Sequence, residues 1–438
     1  MTRIWRSLAL VTALCATLVS ACTPPFVKTE QGGSPQQANA AQESKAPVEQ
    51  PPAQIPVSAK PPASSADSPS ERSPFEGDAY PSRFPEERVT LMAVGDIMVH
   101  DQQLEAAWSP QTKSYDFHPS FVHVKPLFQE ADWVIGNLET TLAGSEARYS
   151  GYPMFNSPES LATVLKEIGV TAVSTANNHS LDRKEQGVLQ TIAHLDEAGI
   201  LHTGTFRSAE ERSQPLLLQK GNVTLALLSY TYGTNGIPIP EGKPYLVNLI
   251  DPTLIKQDIE AARNMGADLV AVALHFGEEY SRLPNEKQKQ TAELCLQYGA
   301  DLILGSHPHV VQPYEWKTVI REDGTEHKGL IAYSLGNFIS AQRWDYKDVG
   351  AILKLTLYKG GKGEAAIESV ELIPTYVYFY RKDGKRNYVI YPVPQTLEKW
   401  DRGERDPYLS QEALAYMRQL AKELPVHASQ PLTKKKAS

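Results

Sequence analysis

From Arg88 onward, short runs of mainly apolar residues alternate with longer stretches in which apolar side chains recur at helical spacing. Runs of the first kind predict strands buried on both faces. Each closes on polar residues: Arg88–Val94 on Gly95-Asp96, Trp133–Ile135 on Gly136-Asn137, and Val170–Ser174 on Asn177-Asn178-His179. Leu269–Leu274 closes on His275-Phe276-Gly277, and Asp301–Leu304 on Gly305-Ser306-His307. Leu216–Leu218 and Val223–Tyr230 flank Lys220-Gly221-Asn222, which predicts a hairpin. Helices are predicted over Ser157–Lys166, Lys184–Ala198 (stopped by Gly199), Asp251–Met265 and Glu286–Tyr298. Asp251-Pro252 supplies an N-cap side chain followed by proline at the first helical position. The chain then becomes strand-rich, over Val310–Ile320, Leu330–Tyr333, Ile352–Tyr358, Ala365–Leu372 and Tyr388–Val393. A final amphipathic helix is predicted over Gln411–Leu424, with Leu414, Met417, Ala421 and Leu424 on one stripe. Alternating strands and helices imply an α/β fold with helix-covered sheets, and the later strands imply a second sheet of their own.

The first 86 residues read differently. Arg3 and Arg6 precede an apolar stretch from Leu8 to Val19, which makes 1–21 a secretory signal. Leu18-Val19-Ser20-Ala21-Cys22 resembles a bacterial lipobox, so Cys22 is expected to carry lipid. From 22 to 86 Pro, Ala, Ser and Gln dominate, with scarcely a large apolar side chain to offset chain entropy. Such a linker of roughly 60 residues spans on the order of 45 Å and acts as a tether. The folded domain is expected over 87–395, followed by a C-terminal helix and basic tail over 396–438. These expectations put the protein at the cell membrane, lipid-anchored on the extracytoplasmic face. Once Cys15 leaves with the signal and Cys22 is lipidated, only Cys295 remains, and one cysteine forms no internal disulfide.

Composition narrows the function. The 438 residues carry 43 basic and 51 acidic side chains, a net charge of −8, which argues against a nucleic-acid partner. No apolar run of about 18 or more follows the N-terminal stretch, which excludes a polytopic membrane protein. Polar, ligand-capable residues instead gather after the α/β strands: Asp96, Asn137 with Glu139, Asn178 with His179, His275, and His307 with His309. Each alone has an ordinary explanation as a turn or hydrogen-bonding residue. Together they sit where ligands bind in α/β sheets, at strand carboxyl ends. Carboxylate, imidazole and amide donors with no thiolate nearby suit Mn, Fe or Zn, as one or two divalent ions.

In their order, GDIMVH, GNLET, NNHSLD, HFGEEY, GSHPHV and YSLGNF resemble the capsule-synthesis CapA family, linked to bacterial poly-γ-glutamate and similar in turn to calcineurin-like metallophosphatases. The likeness begins at Arg88 and runs to between Ser340 and Thr375. It implies a four-layer α/β/β/α sandwich of the metallophosphatase type. It also implies Asp96, Glu139, Asn178, His275, His307 and His309 as metal ligands, and His179 as proton donor or charge stabiliser. Asp182 would orient His179, while Asn137, Glu279, Tyr280 and Asn337 would touch substrate or support the ligands. Tyr333, Asn337 and Phe338 end a strand, where they would either wall the pocket or serve as core and turn residues. Two departures bear on the first metal position: Met98 stands where a metallophosphatase has histidine, with His100 the nearest alternative, and Glu139 stands for aspartate. The implied partners are an anionic envelope polymer, poly-γ-glutamate foremost, the membrane through the lipid, and membrane-bound synthase subunits. Three roles compete: a member of the polymer's synthesis, export or anchoring machinery, a metal-dependent hydrolase of phosphoester or amide bonds in envelope polymers, and a non-catalytic binding module.

Overall fold

The expected strands form, but their grouping is not sequential. The computed structural model describes residues 85–432, so the signal segment, Cys22, the linker up to residue 84 and the tail beyond residue 432 lie outside the described residues. In chain order, β1 (Glu87–Ile97) precedes a small hairpin, β2 (Trp108–Ser109) and β3 (Ser114–Tyr115), then β4 (Trp133–Leu138), β5 (Ala172–Ser174) and β6 (Leu201–Thr203). β7 (Leu216–Lys220) and β8 (Val223–Thr231) make the expected hairpin, followed by β9 (Leu269–His275) and β10 (Leu302–Ser306). β11 (Tyr314–Ile320), β12 (Glu326–Ala332), β13 (Asn337–Ile339), β14 (Val349–Lys359), β15 (Ala365–Lys382) and β16 (Lys385–Pro392) complete the series.

One sheet runs β16-β15-β14-β1-β4-β5-β6, with β13 added beside β1; the other runs β11-β12-β10-β9-β8-β7. The late strands therefore do not make a separate sheet. β11 and β12 extend the sheet of β7–β10, whereas β14–β16 extend antiparallel from β1. Local patterning makes a segment a strand, but pairing between β1 and β14, some 260 residues apart in sequence, is decided by shared burial.

Alternation along β1 sends Val89, Leu91 and Ala93 into the core between the sheets, with Leu225, Leu227, Ala271 and Leu304 facing them. Met92 and Val94 point the other way, into an outer core. That outer core takes apolar side chains of α1 (Asp101–Ala107), α2 (His118–Phe121), α3 (Lys125–Phe128), α4 (Ser160–Glu167) and α5 (Lys184–Ala198). After the single turn α6 (Ala209–Arg212), α7 (Pro252–Asn264) and α8 (Glu286–Gln297) cover the outside of the second sheet. α9 (Val393–Asp401) and α10 (Gln411–Ala428) pack on β15 and β16. The layers are α/β/β/α, as expected. Asp251 caps α7 by accepting from the amides of Thr253 and Leu254. Cys295 is buried on α8, its thiol pushed up to about 12 by burial. No helix among the described residues is long and apolar enough to cross a membrane.

Of the two readings open for Tyr333 and Phe338, pocket wall or core, the structure takes the second. Tyr333 lies in the outer core of the second sheet, its hydroxyl donating to Glu315 at 2.8 Å. Phe338 stacks on Phe128 in the outer core of the first. Packing against the covering helices takes up both rings.

Candidate metal centre

Parallel pairing brings the carboxyl ends of β1, β4 and β5 level in one sheet and those of β8, β9 and β10 level in the other. Two close backbone approaches fix the level. A Cβ on Gly95 would stand 1.8 Å from the Gly336 carbonyl, and one on Gly305 would stand 1.9 Å from that of Tyr333. Only glycine permits either contact, and each lies directly before a polar segment of the site. The Asp96 amide then donates to the Gly336 carbonyl at 2.9 Å.

The structure brings Asp96, Asn137, Glu139, Asn178, His275, His307 and His309 together, all buried. Asp96 Oδ1 accepts from Asn137 Nδ2 at 2.9 Å and its Oδ2 meets His309 Nδ1 at 3.0 Å. Asn137 is the hub: its Oδ1 accepts from Ser174, and its Nδ2 also approaches Glu139 Oε2 and His275 Nδ1. An amide nitrogen only donates, so His275 Nδ1 accepts there and Nε2 carries the ring hydrogen toward Asn178 Oδ1, 2.8 Å away. Three sets of ligand atoms lie within 4.8 Å of one another: Glu139 with His275 and His307, Asp96 with Glu139 and His309, and Glu279 with His307 and His309. Glu139 is common to the first two.

Two ligand-type atoms in the cluster, Glu139 Oε1 and His307 Nδ1, have no hydrogen-bond partner. Leaving buried polar atoms unpaired is costly, so the cluster is suited to a cation that would satisfy both. The backbone is strained there as well: His307 and His309 take φ of 97° and 59°, and Tyr280 takes 66°. Non-glycine residues rarely adopt such angles, and they concentrate at functional sites.

Electrostatics follow from this packing. Burial raises the Glu139 carboxyl well above its usual range, and the Asp96 charge adds to it. Burial also opposes charge on Asp96, yet the His309 bond and the nearby imidazoles outweigh it and hold the carboxyl low. Burial alone would depress His309, but Glu139 and Asp96 raise it to about 9. Burial takes His275 and His307 to about 3, the neighbouring imidazoles adding to it and the Asp96 charge only partly opposing it.

His179 stands beside the cluster, its Nδ1 2.7 Å from Asp182 Oδ2. The same oxygen accepts from the Phe155 amide at 2.6 Å, and the Phe155 ring meets His179 edge-on at 4.7 Å. His100 also meets that ring edge-on, at 5.1 Å, and its Nδ1 accepts from the Ala341 amide; it belongs to none of the three ligand sets. Glu279 and Tyr280 are exposed at the rim, with the Tyr280 amide bonded to the Pro308 carbonyl at 2.7 Å. Asn337 is buried next to Asp96 in the sheet, but its amide donates to Gln342 and the Lys347 carbonyl, which directs it to the 342–347 loop. Two neighbours went unread in the sequence. Tyr232, directly after β8, sets its ring 4.7 Å from that of His307, and the strand-end rule that found the histidines applies to it equally. Phe155 lies in an irregular loop whose sequence carries no such signal.

A four-layer α/β domain with imidazole, carboxylate and amide groups converging at paired strand ends defines a class of protein with one built polar site. Within that class the chain belongs to the bacterial capsule synthesis protein PGA_cap family, whose profile matches residues 90–342. It is 30% identical over 287 residues to the PGA biosynthesis protein CapA of Bacillus subtilis, covering 64% of this chain and 70% of that one. Identity to the capsule biosynthesis protein CapA of Bacillus anthracis is 29% over 282 residues, covering 63% and 65%. Among solved structures, the Haemophilus influenzae NAD nucleotidase aligns with a TM-score of 0.40 and 11% identity over 77% of this chain and 60% of that one. At that distance the likeness bears on nothing further.

Proposed function

We propose that this chain serves in the synthesis of a poly-γ-glutamate capsule, acting at the outer face of the cell membrane through a divalent-metal site. Membership of the capsule synthesis family and the names of its two Bacillus relatives support the process. One observation carries the metal: Glu139 Oε1 and His307 Nδ1 are buried without partners inside a cluster of ligand groups. Glu139, His275 and His307, with Asn178, would hold one ion; Asp96 and His309, sharing Glu139, would hold a neighbour. A bound divalent ion supplies Lewis acidity toward a phosphoryl or acyl oxygen. Asp182 fixes the His179 ring through Nδ1, which leaves Nε2 to hold or deliver a proton. That pair favours a hydrolytic or transfer step on an envelope polymer over a purely structural ion. Tyr280 and Glu279, exposed at the rim, would meet the polymer.

Elemental analysis of the purified full chain tests this, beside His307→Ala and Glu139→Gln. Stoichiometric Mn, Fe or Zn in the parent and its loss from both variants is the expected result. A metal-free parent that restores polymer production in a deletion strain overturns it.

A further inference from the structure

Glu279 stands apart from the other carboxylates of the cluster. Its oxygen lies within 4.8 Å of ligand nitrogens on His307 and His309, yet the residue is exposed where Asp96 and Glu139 are fully buried. His307 belongs to the set around Glu139 and His275, and His309 to the set around Glu139 and Asp96. Glu279 thus approaches one histidine of each set from the exposed side.

The turn that carries it is braced against the His307-Pro308-His309 segment. Gly277 takes φ of 113°, which side chains rarely adopt, and a Cβ there would press on the Gln288 amide at 2.6 Å. Gln288 donates to Gln312 at 2.8 Å, and Gln312 donates in turn to the Ser281 carbonyl at 2.8 Å; both glutamines are buried. Together with the bond from the Tyr280 amide to the Pro308 carbonyl, they hold Glu279 at the mouth of the cluster. Glu278, exposed beside it, belongs to none of the three ligand sets and lies 3.4 Å from Asn285 Nδ2 instead.

We propose that Glu279 is a further metal ligand, shared between the two positions on the exposed side as Glu139 is shared within. It is also the ligand that a carboxylate of an incoming substrate can replace, because Asp96, Glu139 and the histidines are sealed from solvent and Glu279 is not. The inference rests on the metal reading of the cluster and adds to it the group that yields its place.

The test is calorimetric titration of the full chain, stripped of metal and freed of chelator, with MnCl2, for the parent, Glu279→Ala and Glu278→Ala. Mn binding is expected to be about tenfold or more weaker in Glu279→Ala, since losing even an outer partner of a ligand costs that much, and unchanged in Glu278→Ala. Saturating formate should restore the affinity of Glu279→Ala by filling the vacated position, whereas chloride at equal ionic strength should not. Unchanged Mn affinity in Glu279→Ala overturns the proposal and leaves the metal centre standing. An equal loss in Glu278→Ala, or a loss that formate does not repair, overturns it as well, because Glu279 would then act by charge alone. A parent that binds no Mn overturns the metal centre itself, and this inference with it.

Discussion

At His309 two carboxylates act on one imidazole. Asp96 holds Nδ1 at 3.0 Å and Glu139 lies 3.9 Å from Nε2. In the metal-free protein the ring is held up to about 9, so it carries a proton near neutrality, and burial with the Asp96 charge raises the Glu139 carboxyl as well. A metal ion needs the deprotonated forms. Metal uptake at pH 7 should therefore release protons, and affinity should climb as pH rises toward 9. Calorimetry in buffers of different ionisation enthalpy measures the release; identical apparent enthalpies would show that His309 keeps its proton. The sign for folding is opposite. Because the folded-state value of His309 is raised, its contribution to metal-free stability is complete below about pH 6.5 and fades as pH passes through about 9. Asp182 makes a second residue-scale case, since it touches no ligand set. Asp182→Asn should leave bound metal intact by elemental analysis while lowering polymer output, because the His179 ring loses its orienting acceptor.

The element with the most residue-specific support near the site is an irregular loop. Arg183, next to Asp182, donates to the carbonyls of Ala147, Arg148 and Met154 and to Ser150 Oγ, so one side chain fastens the segment that carries Phe155. Arg183→Leu should raise amide hydrogen exchange across 147–155 while leaving α5 protected; unchanged exchange in the loop would assign its order to Asn156 instead, which bonds Gly144 and Arg148. Asp251→Ala removes the cap of α7 and should cost about 1 kcal/mol in urea denaturation. That cap, its proline and the α5 stop at Gly199 were legible in the sequence because each is a local device. The strand-end histidines were legible for the same reason: a turn residue follows an apolar run. Sheet membership was not, since β14 finds β1 only in the folded core. Nor was α9, where Val393-Pro394 prolongs the apolar pattern of β16 and hides the change of period. For Tyr333 and Phe338 the strand-end position left pocket wall and core both open, and burial against helices claimed their rings.

At the scale of the whole molecule, charge and the proposed tether bear on how a polymer would be met. Cys22 with the Pro-rich linker after it would hold the folded domain off the membrane, and Cys22→Ser should shift the protein from membrane to soluble fractions. Membrane retention equal to the parent would mean that lipid at Cys22 is not the anchor. A chain of net charge −8 repels a polyanion at long range, so attraction has to arise locally. The metal cluster is where that inversion is possible, since bound cations would reverse the sign of a pocket built around Asp96 and Glu139. Binding through buried cations differs from binding through a basic surface in one measurable way. Exposed charges are screened within about 8–10 Å at physiological salt, whereas a contact inside the pocket is screened far less. Poly-γ-glutamate binding should therefore disappear in chelator, return with Mn or Zn, and weaken only slightly between low and high salt. Binding that survives chelation and His307→Ala but collapses in salt would move recognition from the metal cluster to surface lysines and arginines, and leave the chain an interaction module on a metal-binding scaffold.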